Sequence, residues 1–210
     1  MSPSRWGNFS SLGRFVDEKP CGLISVVPPA LQKDWAEGLA ARVQRFRPAA
    51  IIVQPAGARL GRAIVKAAKP LEVAVLAAGS VEEAVTIEAD GVYFLDPEPD
   101  VQGARKALGS ASIVGAACGL SRHAAMLAAE DGADFVAFTA PPEASLENAA
   151  NLCAWWNELA VVPVALDCGT RRPSRAVLEK AHADFVMLEE VESAGESLTF
   201  AKESGLVGQT

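Results

Sequence analysis

The chain alternates short, continuous apolar runs with longer segments in which apolar positions recur every three or four residues. The runs occupy residues 23–27, 50–53, 73–76, 92–95, 113–117, 135–138, 162–166 and 185–188. Most are apolar throughout, the pattern of strands covered on both faces in a parallel sheet. Between the first two, residues 31–46 set Leu31, Trp35, Leu39 and Val43 on one helical face. The same logic predicts helices over 60–68, 81–87, 101–108, 121–131, 145–159, 173–181 and 194–204. Ser80 followed by Glu83 forms a capping-box pair, and Ser145 followed by Asn148 a weaker one.

A short motif recurs before the fourth, sixth and eighth runs: Ala89-Asp90-Gly91-Val92, Ala133-Asp134-Phe135-Val136 and Ala183-Asp184-Phe185-Val186. An Asp bonding the local backbone at a helix-to-strand turn accounts for it, and its recurrence supports a repeated βα unit. Eight strands with interleaved helices and no linker predict a single (β/α)8 TIM barrel over residues 21–204. An open doubly wound sheet is the alternative. The dinucleotide fingerprint such a sheet often carries after its first strand is missing, because Val27-Pro28-Pro29-Ala30 stands there. Residues 1–20, with their Ser, Gly, Asn and Pro, are expected to form a flexible extension.

Composition narrows the function. With 210 residues, 50% of them hydrophobic, the chain has the material for one sizeable core. A net charge of −7 argues against a general nucleic-acid binder, whose affinity rests on Lys and Arg, and against docking on an anionic membrane. No segment reaches the roughly 18–20 apolar residues of a membrane span. The first twenty residues also lack the apolar run of about 7–15 residues found in a secretory signal. Cys21, Cys118, Cys153 and Cys168 form no C-x-x-C pair and read as free thiols in a reducing compartment, the cytoplasm.

In a barrel of this kind, chemistry gathers in the loops that follow the strands. Those loops carry Asp96, Glu98, Asp100, Glu143, Asp167, Glu189 and Glu190, against Arg59, Arg122, Arg171 and Arg172 in or beside them. Cys118, Cys168, Asp167 and His123 are zinc-compatible types but share no close motif, so buried thiols are the competing reading. A nucleophilic Cys118 or Cys168 would need His123 within hydrogen-bond reach. Glu189 with Asp96 or Glu98 makes either a carboxylate pair for magnesium or acid–base work, or a set of solvated loop acids. Glu189 and Glu190 must face opposite sides if the strand runs through them, so one enters the mouth. Trp155 and Trp156 cannot share a helix face; they pack under the next loop or serve a homodimer contact.

Residues 113–138 (IVGAACGLSRHAAMLAAEDGADFVAF), preceded by ADGVYF at 89–94 and followed by VPVALDCG at 162–169, resemble thiamine phosphate synthase and its thiazole-tautomerase relatives. The order of these pieces matches over about residues 20–195, nearly the whole barrel predicted from the hydrophobic pattern. Trp155-Trp156 ahead of Val162-Pro163 is similar to a divergent, alphaproteobacterial-type branch. The resemblance implies a small barrel that joins an aminopyrimidine diphosphate to a thiazole phosphate and releases pyrophosphate with the help of magnesium.

Position by position, the resemblance implies replacement. The family's Gln-x-Arg-x-Lys after strand two keeps Gln54 but continues as Pro55-Ala56-Gly57-Ala58, with Arg59 the nearest cation. The metal-holding Asp after strand three falls on Ala77-Ala78 or Gly79-Ser80, and the second metal carboxylate falls near Asp96 and Glu98. The Ser after strand five is Ala117, and the Thr-x-x-Lys of loop six gives way to Pro141-Pro142-Glu143-Ala144-Ser145. The tautomerase His of that loop is Ala140. The phosphate amides belong to turns that here read Asp167-Cys168-Gly169-Thr170 and Glu189-Glu190.

The expectation is therefore a divergent barrel that binds a small molecule and has lost the synthase reaction. Cys118, Asp167, Cys168, Gly169, Arg171 and Glu189 surround its ligand. The alternative retains the reaction with Gln54, Glu98 and Thr139 in catalytic roles and magnesium on Asp96 and Glu98.

Overall fold

The computed structural model describes residues 21–96 and 99–191. The expected extension over 1–20, the helix over 194–204 and Glu98 lie outside them. The apolar runs and amphipathic segments fold as β1 (Gly22–Val27), α1 (Gln32–Phe46), β2 (Ala50–Val53), α2 (Ala58–Ala68), β3 (Ala74–Ala78), α3 (Val81–Ile87), β4 (Gly91–Phe94) and α4 (Val101–Leu108). They continue as β5 (Ile113–Ala117), α5 (Arg122–Glu130), β6 (Phe135–Thr139), α6 (Leu146–Leu159), β7 (Val164–Asp167), α7 (Arg175–Ala181) and β8 (Phe185–Glu189). The strands pair in sequence order and β8 returns to β1, all parallel, so the sheet closes as a barrel with no free edge.

Alternation along each strand divides the core in two. Ile24, Val26, Ile52, Leu76, Tyr93, Phe135, Phe185 and Met187 fill the inside of the barrel. Leu23, Val27, Ile51, Val75, Val92, Phe138, Leu166 and Leu188 face outward and meet the helices, among them Trp35 and Leu39 of α1 and Ile64 of α2. Each such side chain removed from water contributes about 1.5–3 kcal/mol, which is why the strands are apolar on both faces. Glycines make room for the large rings inside: a Cβ on Gly115 would stand 2.2 Å from the Phe135 ring.

The Ala-Asp motif has a longer reach than a local turn. Asp90 Oδ2 accepts from Val75 N at 2.9 Å, Asp134 Oδ2 from Val114 N at 2.7 Å, and Asp184 Oδ2 from Val164 N at 3.0 Å. Each Asp entering an even-numbered strand thus satisfies an amide at the start of the odd-numbered strand before it. The same clamp is built three times around the bottom of the barrel.

Helix starts follow their caps. Ser80 Oγ accepts from Glu83 N at 3.2 Å, as the capping pattern predicts. Ser145 Oγ accepts from Glu147 N and not from Asn148. The seventh run begins two residues later than its hydrophobicity suggests, because Pro163 has no N–H for the ladder and only its carbonyl is used, by Val136 N at 3.1 Å.

Candidate functional site

Four polar side chains stand at the C-terminal ends of the strands, in step with inward-facing neighbours. Gln54 continues the phase of Ala50 and Ile52, Thr139 that of Phe135 and Ala137, Asp167 that of Ala165, and Glu189 that of Phe185 and Met187. They bond in two pairs. Gln54 Nε2 donates to Glu189 Oε2 at 3.0 Å, and Thr139 Oγ1 donates to Asp167 Oδ2 at 2.8 Å. The first pair spans β1, which lies between β2 and β8; the second joins residues paired directly in the β6–β7 register.

The turn after β7 is closed by the same carboxylate. Gly169 N donates to Asp167 Oδ1 at 2.9 Å, and Gly169 takes a left-handed φ of 55° that suits a residue without a side chain. Neighbouring amides are also engaged: Glu189 N donates to Gly169 O at 2.8 Å and Glu190 N to Val26 O at 2.9 Å. Burial pushes the Asp167 carboxyl up, against the pull of the Gly169 N–H, the Thr139 hydroxyl and Arg171.

Below the carboxylates lies a residue that the sequence pattern does not single out. Tyr93 stacks on Phe135 with ring centroids 5.8 Å apart, and its hydroxyl, on a side chain 2% exposed, has no hydrogen-bond partner among the described residues. Burial, and then the charge of Asp167, raise its phenol well above the usual range, so it stays a neutral donor. The signal for it was strand parity: Val92 faces the helices, so Tyr93, the next residue, faces inward. Gln32, at the start of α1, is a second unflagged participant. Its Nε2 donates to Gln54 O at 2.5 Å and fixes the backbone from which Gln54 reaches Glu189.

Other expected residues are placed elsewhere. Glu190 turns away from the mouth, in phase with Val186 and Leu188, and is 3% exposed with Oε1 unpartnered among the described residues. Burial pushes its carboxyl up to about 7, against the opposing pull of Arg42 and Arg172. Cys118 and Cys168 belong to the layer between strands and helices, so neither sulfur enters the mouth. Burial raises both thiols to about 12, and a protonated thiol is a poor nucleophile at neutral pH. His123 is exposed in the first turn of α5. The Cys–His and Cys–Asp–His constellations are therefore not assembled.

Arg171 is also committed. Its guanidinium donates to Ala144 O at 2.9 Å, to Pro141 O at 3.4 Å and to Ala140 O, pinning the β6–α6 loop. Five rigid donors suit this bridging of carbonyls, which leaves the cation holding a loop at the rim.

Of the magnesium carboxylates expected at Asp96 and Glu98, only Asp96 lies within the described residues. β3 ends in Ala77-Ala78, Ser80 Oγ caps α3, and Asp96 is exposed beyond β4. Asp96 and Glu189 follow β4 and β8, on opposite sides of the ring. Among the described residues no three His, Cys, Asp or Glu side chains group as metal ligands. The described residues do not fit the ion there. A groove of about 380 Å³ between α2 and α3, lined by Arg62, Lys66, Lys69, Glu88 and Asp90, lies at the other end of the barrel, and its opposed charges nearly cancel.

The family model for thiamine monophosphate synthase matches residues 43–190, from within α1 to the end of β8. A thiamine-phosphate synthase of Rhodospirillum centenum is 30% identical over 179 residues, covering 79% of this chain and 86% of that protein. One from Erythrobacter litoralis is 30% identical over 142 residues, covering 64% and 67% of the two chains. Among solved structures, a thiamine phosphate pyrophosphorylase from Pyrococcus furiosus superposes with a TM-score of 0.65 at 16% identity, covering 86% of this chain and 94% of that one. Tryptophan synthase from M. tuberculosis gives the same TM-score at 17% identity, covering 89% and 90%. These superpositions speak for the barrel alone, while the family-model match spans most of the strands. This chain belongs to the thiamine monophosphate synthase family.

Proposed function

We propose that this barrel is a divergent family member that binds a small, phosphate-free molecule at its mouth and does not catalyse thiamine phosphate synthesis. The observation that carries this reading is the Asp167–Gly169 bond: where the resemblance implies a bare amide for phosphate, the N–H of Gly169 already donates to Asp167 at 2.9 Å. A dianion placed there would displace that bond and meet Asp167 and Glu189. Two like charges about 4 Å apart repel by about 4 kcal/mol at an effective dielectric of 20, more than a few amide bonds return. The ligand such a mouth suits is neutral or cationic, presents donors to Asp167 and Glu189, and offers an acceptor to the Tyr93 hydroxyl.

Cys118, Cys153 and Cys168 are buried thiols, which suits a reducing compartment, and we place the chain in the cytoplasm. Among the described residues no helix is long and apolar enough to cross a membrane.

A second reading has its own support, because the relatives at 30% identity bear the synthase name. In that reading Gln54, Glu98, Thr139 and the Arg171-Arg172 pair serve the reaction in rearranged roles, Glu98 lying outside the described residues. Incubation of the chain with aminopyrimidine diphosphate, thiazole phosphate and magnesium separates the two. No thiamine phosphate above the enzyme-free background is expected; turnover of the two substrates would establish the second reading.

A further inference from the structure

We propose that α5 forms the contact between two copies of this chain, packed near-antiparallel across a two-fold axis beside Met126. The helix buries Ala124, Ala125 and Ala128 against the barrel and presents Arg122, Met126, Leu127 and Glu130 to solvent. Met126 and Leu127 are 49% and 42% exposed, and Leu120, just ahead of the helix, is 38% exposed. Covering them would take apolar surface out of water, which favours association.

The order of residues along the ridge says what covers them. Arg122, Met126 and Glu130 stand four apart and therefore line up as cation, apolar, anion. In an isologous contact, residue i meets j and j meets i. With Met126 against its own copy, Arg122 faces Glu130 of the partner subunit, and Glu130 faces the partner's Arg122. Both ends are satisfied by one operation. An unrelated apolar partner would require no such symmetry of opposite charges about a central methionine.

The neighbouring helix prepares the rim. The Arg122 guanidinium lies 4.5 Å over the Trp155 ring of α6, which restrains the cation and adds partly buried aromatic surface beside the ridge. Trp156 is not part of this surface, since it is buried, with Nε1 donating to Val162 O at 2.8 Å. One helix face with its flanks is smaller than the roughly 800 Å² per partner of a standard stable interface. The dimer is therefore one that dissociates on dilution.

Sedimentation equilibrium of the full chain across a dilution series tests this. The native chain is expected to show a reversible monomer–dimer equilibrium. Met126→Glu and Arg122→Glu are each expected to weaken it by on the order of tenfold or more, as truncating a central contact does. The double reversal Arg122→Glu with Glu130→Arg should restore association. Met126→Cys, at the axis, should cross-link to its own copy on mild oxidation, whereas Val161→Cys, exposed on the α6–β7 loop, should not. A native chain that stays monomeric overturns the proposal. So does a dimer that the Met126→Glu and Arg122→Glu variants leave unchanged.

Discussion

Gln54 Nε2 lies 3.0 Å from Glu189 Oε2, so an amide on β2 and a carboxylate on β8 are joined over the intervening β1. With Thr139 and Asp167 on the neighbouring β6 and β7, this makes a mouth with two inward carboxyls, each already accepting from a neighbouring side chain. Its Gly169, Glu189 and Glu190 amides already have partners. The divergence of this chain from the phosphate-handling pattern of its family is therefore one of charge and of donors already engaged, on a barrel otherwise kept.

Removing those groups should reverse the preference. Asp167→Ala frees the Gly169 N–H and deletes one charge; Glu189→Gln deletes the other while keeping a side chain for Gln54. The double variant is expected to bind pyrophosphate at least about tenfold more tightly than the parent, a small part of the roughly 4 kcal/mol per close charge pair. Calorimetric titration of both proteins checks it, and equal affinities would show that the carboxylates do not govern the mouth.

The clamp at the bottom of the barrel is a stability element. Asp134→Ala leaves Val114 N without its acceptor and also removes the 2.5 Å contact to Arg105. A buried amide deprived of its partner costs about 1–3 kcal/mol, and the half-exposed ion pair adds little. Urea unfolding should show a lower midpoint for Asp134→Ala and a comparable loss for Asp90→Ala, which leaves Val75 N without its acceptor. A midpoint unchanged in both would remove the clamp from the account.

Glu190 should make stability depend on pH. Its folded value of about 7 lies above its ordinary 4.5, so the folded chain holds a proton that the unfolded chain has released. Stability therefore falls as pH rises from about 4.5 through 7, by on the order of 2–3 kcal/mol if Glu190 acts alone. Asp167, also raised by burial, acts with the same sign. Glu190→Gln should match the parent at pH 5 and exceed it at pH 8 in urea unfolding. Parallel profiles for the two proteins would contradict this.

The barrel was legible because burial on both faces writes each strand as a short apolar run, and the runs from Ile113 and Phe135 start where β5 and β6 start. The Asp motif was legible as a recurrence, but its bonds were not. Asp134 reaches Val114, 20 residues back, and only strand adjacency brings them together.

The mouth was half legible. Alternation requires that one of Glu189 and Glu190 enter; the pairing of Val26 with Glu189 decides which. Cys118 was placed near the ligand because it follows the fifth run, yet its phase beyond Ala117 turns it outward. Pairs such as Thr139 with Asp167 depend on the β6–β7 register, which no local pattern encodes.

Titration of the native chain with thiamine phosphate in the presence of magnesium, followed by the phosphorus resonance of the ligand, reaches the central claim most directly. The account predicts a resonance that neither shifts nor broadens as protein is added. A saturable shift of that resonance would contradict the account, because it would mean that the mouth still holds phosphate.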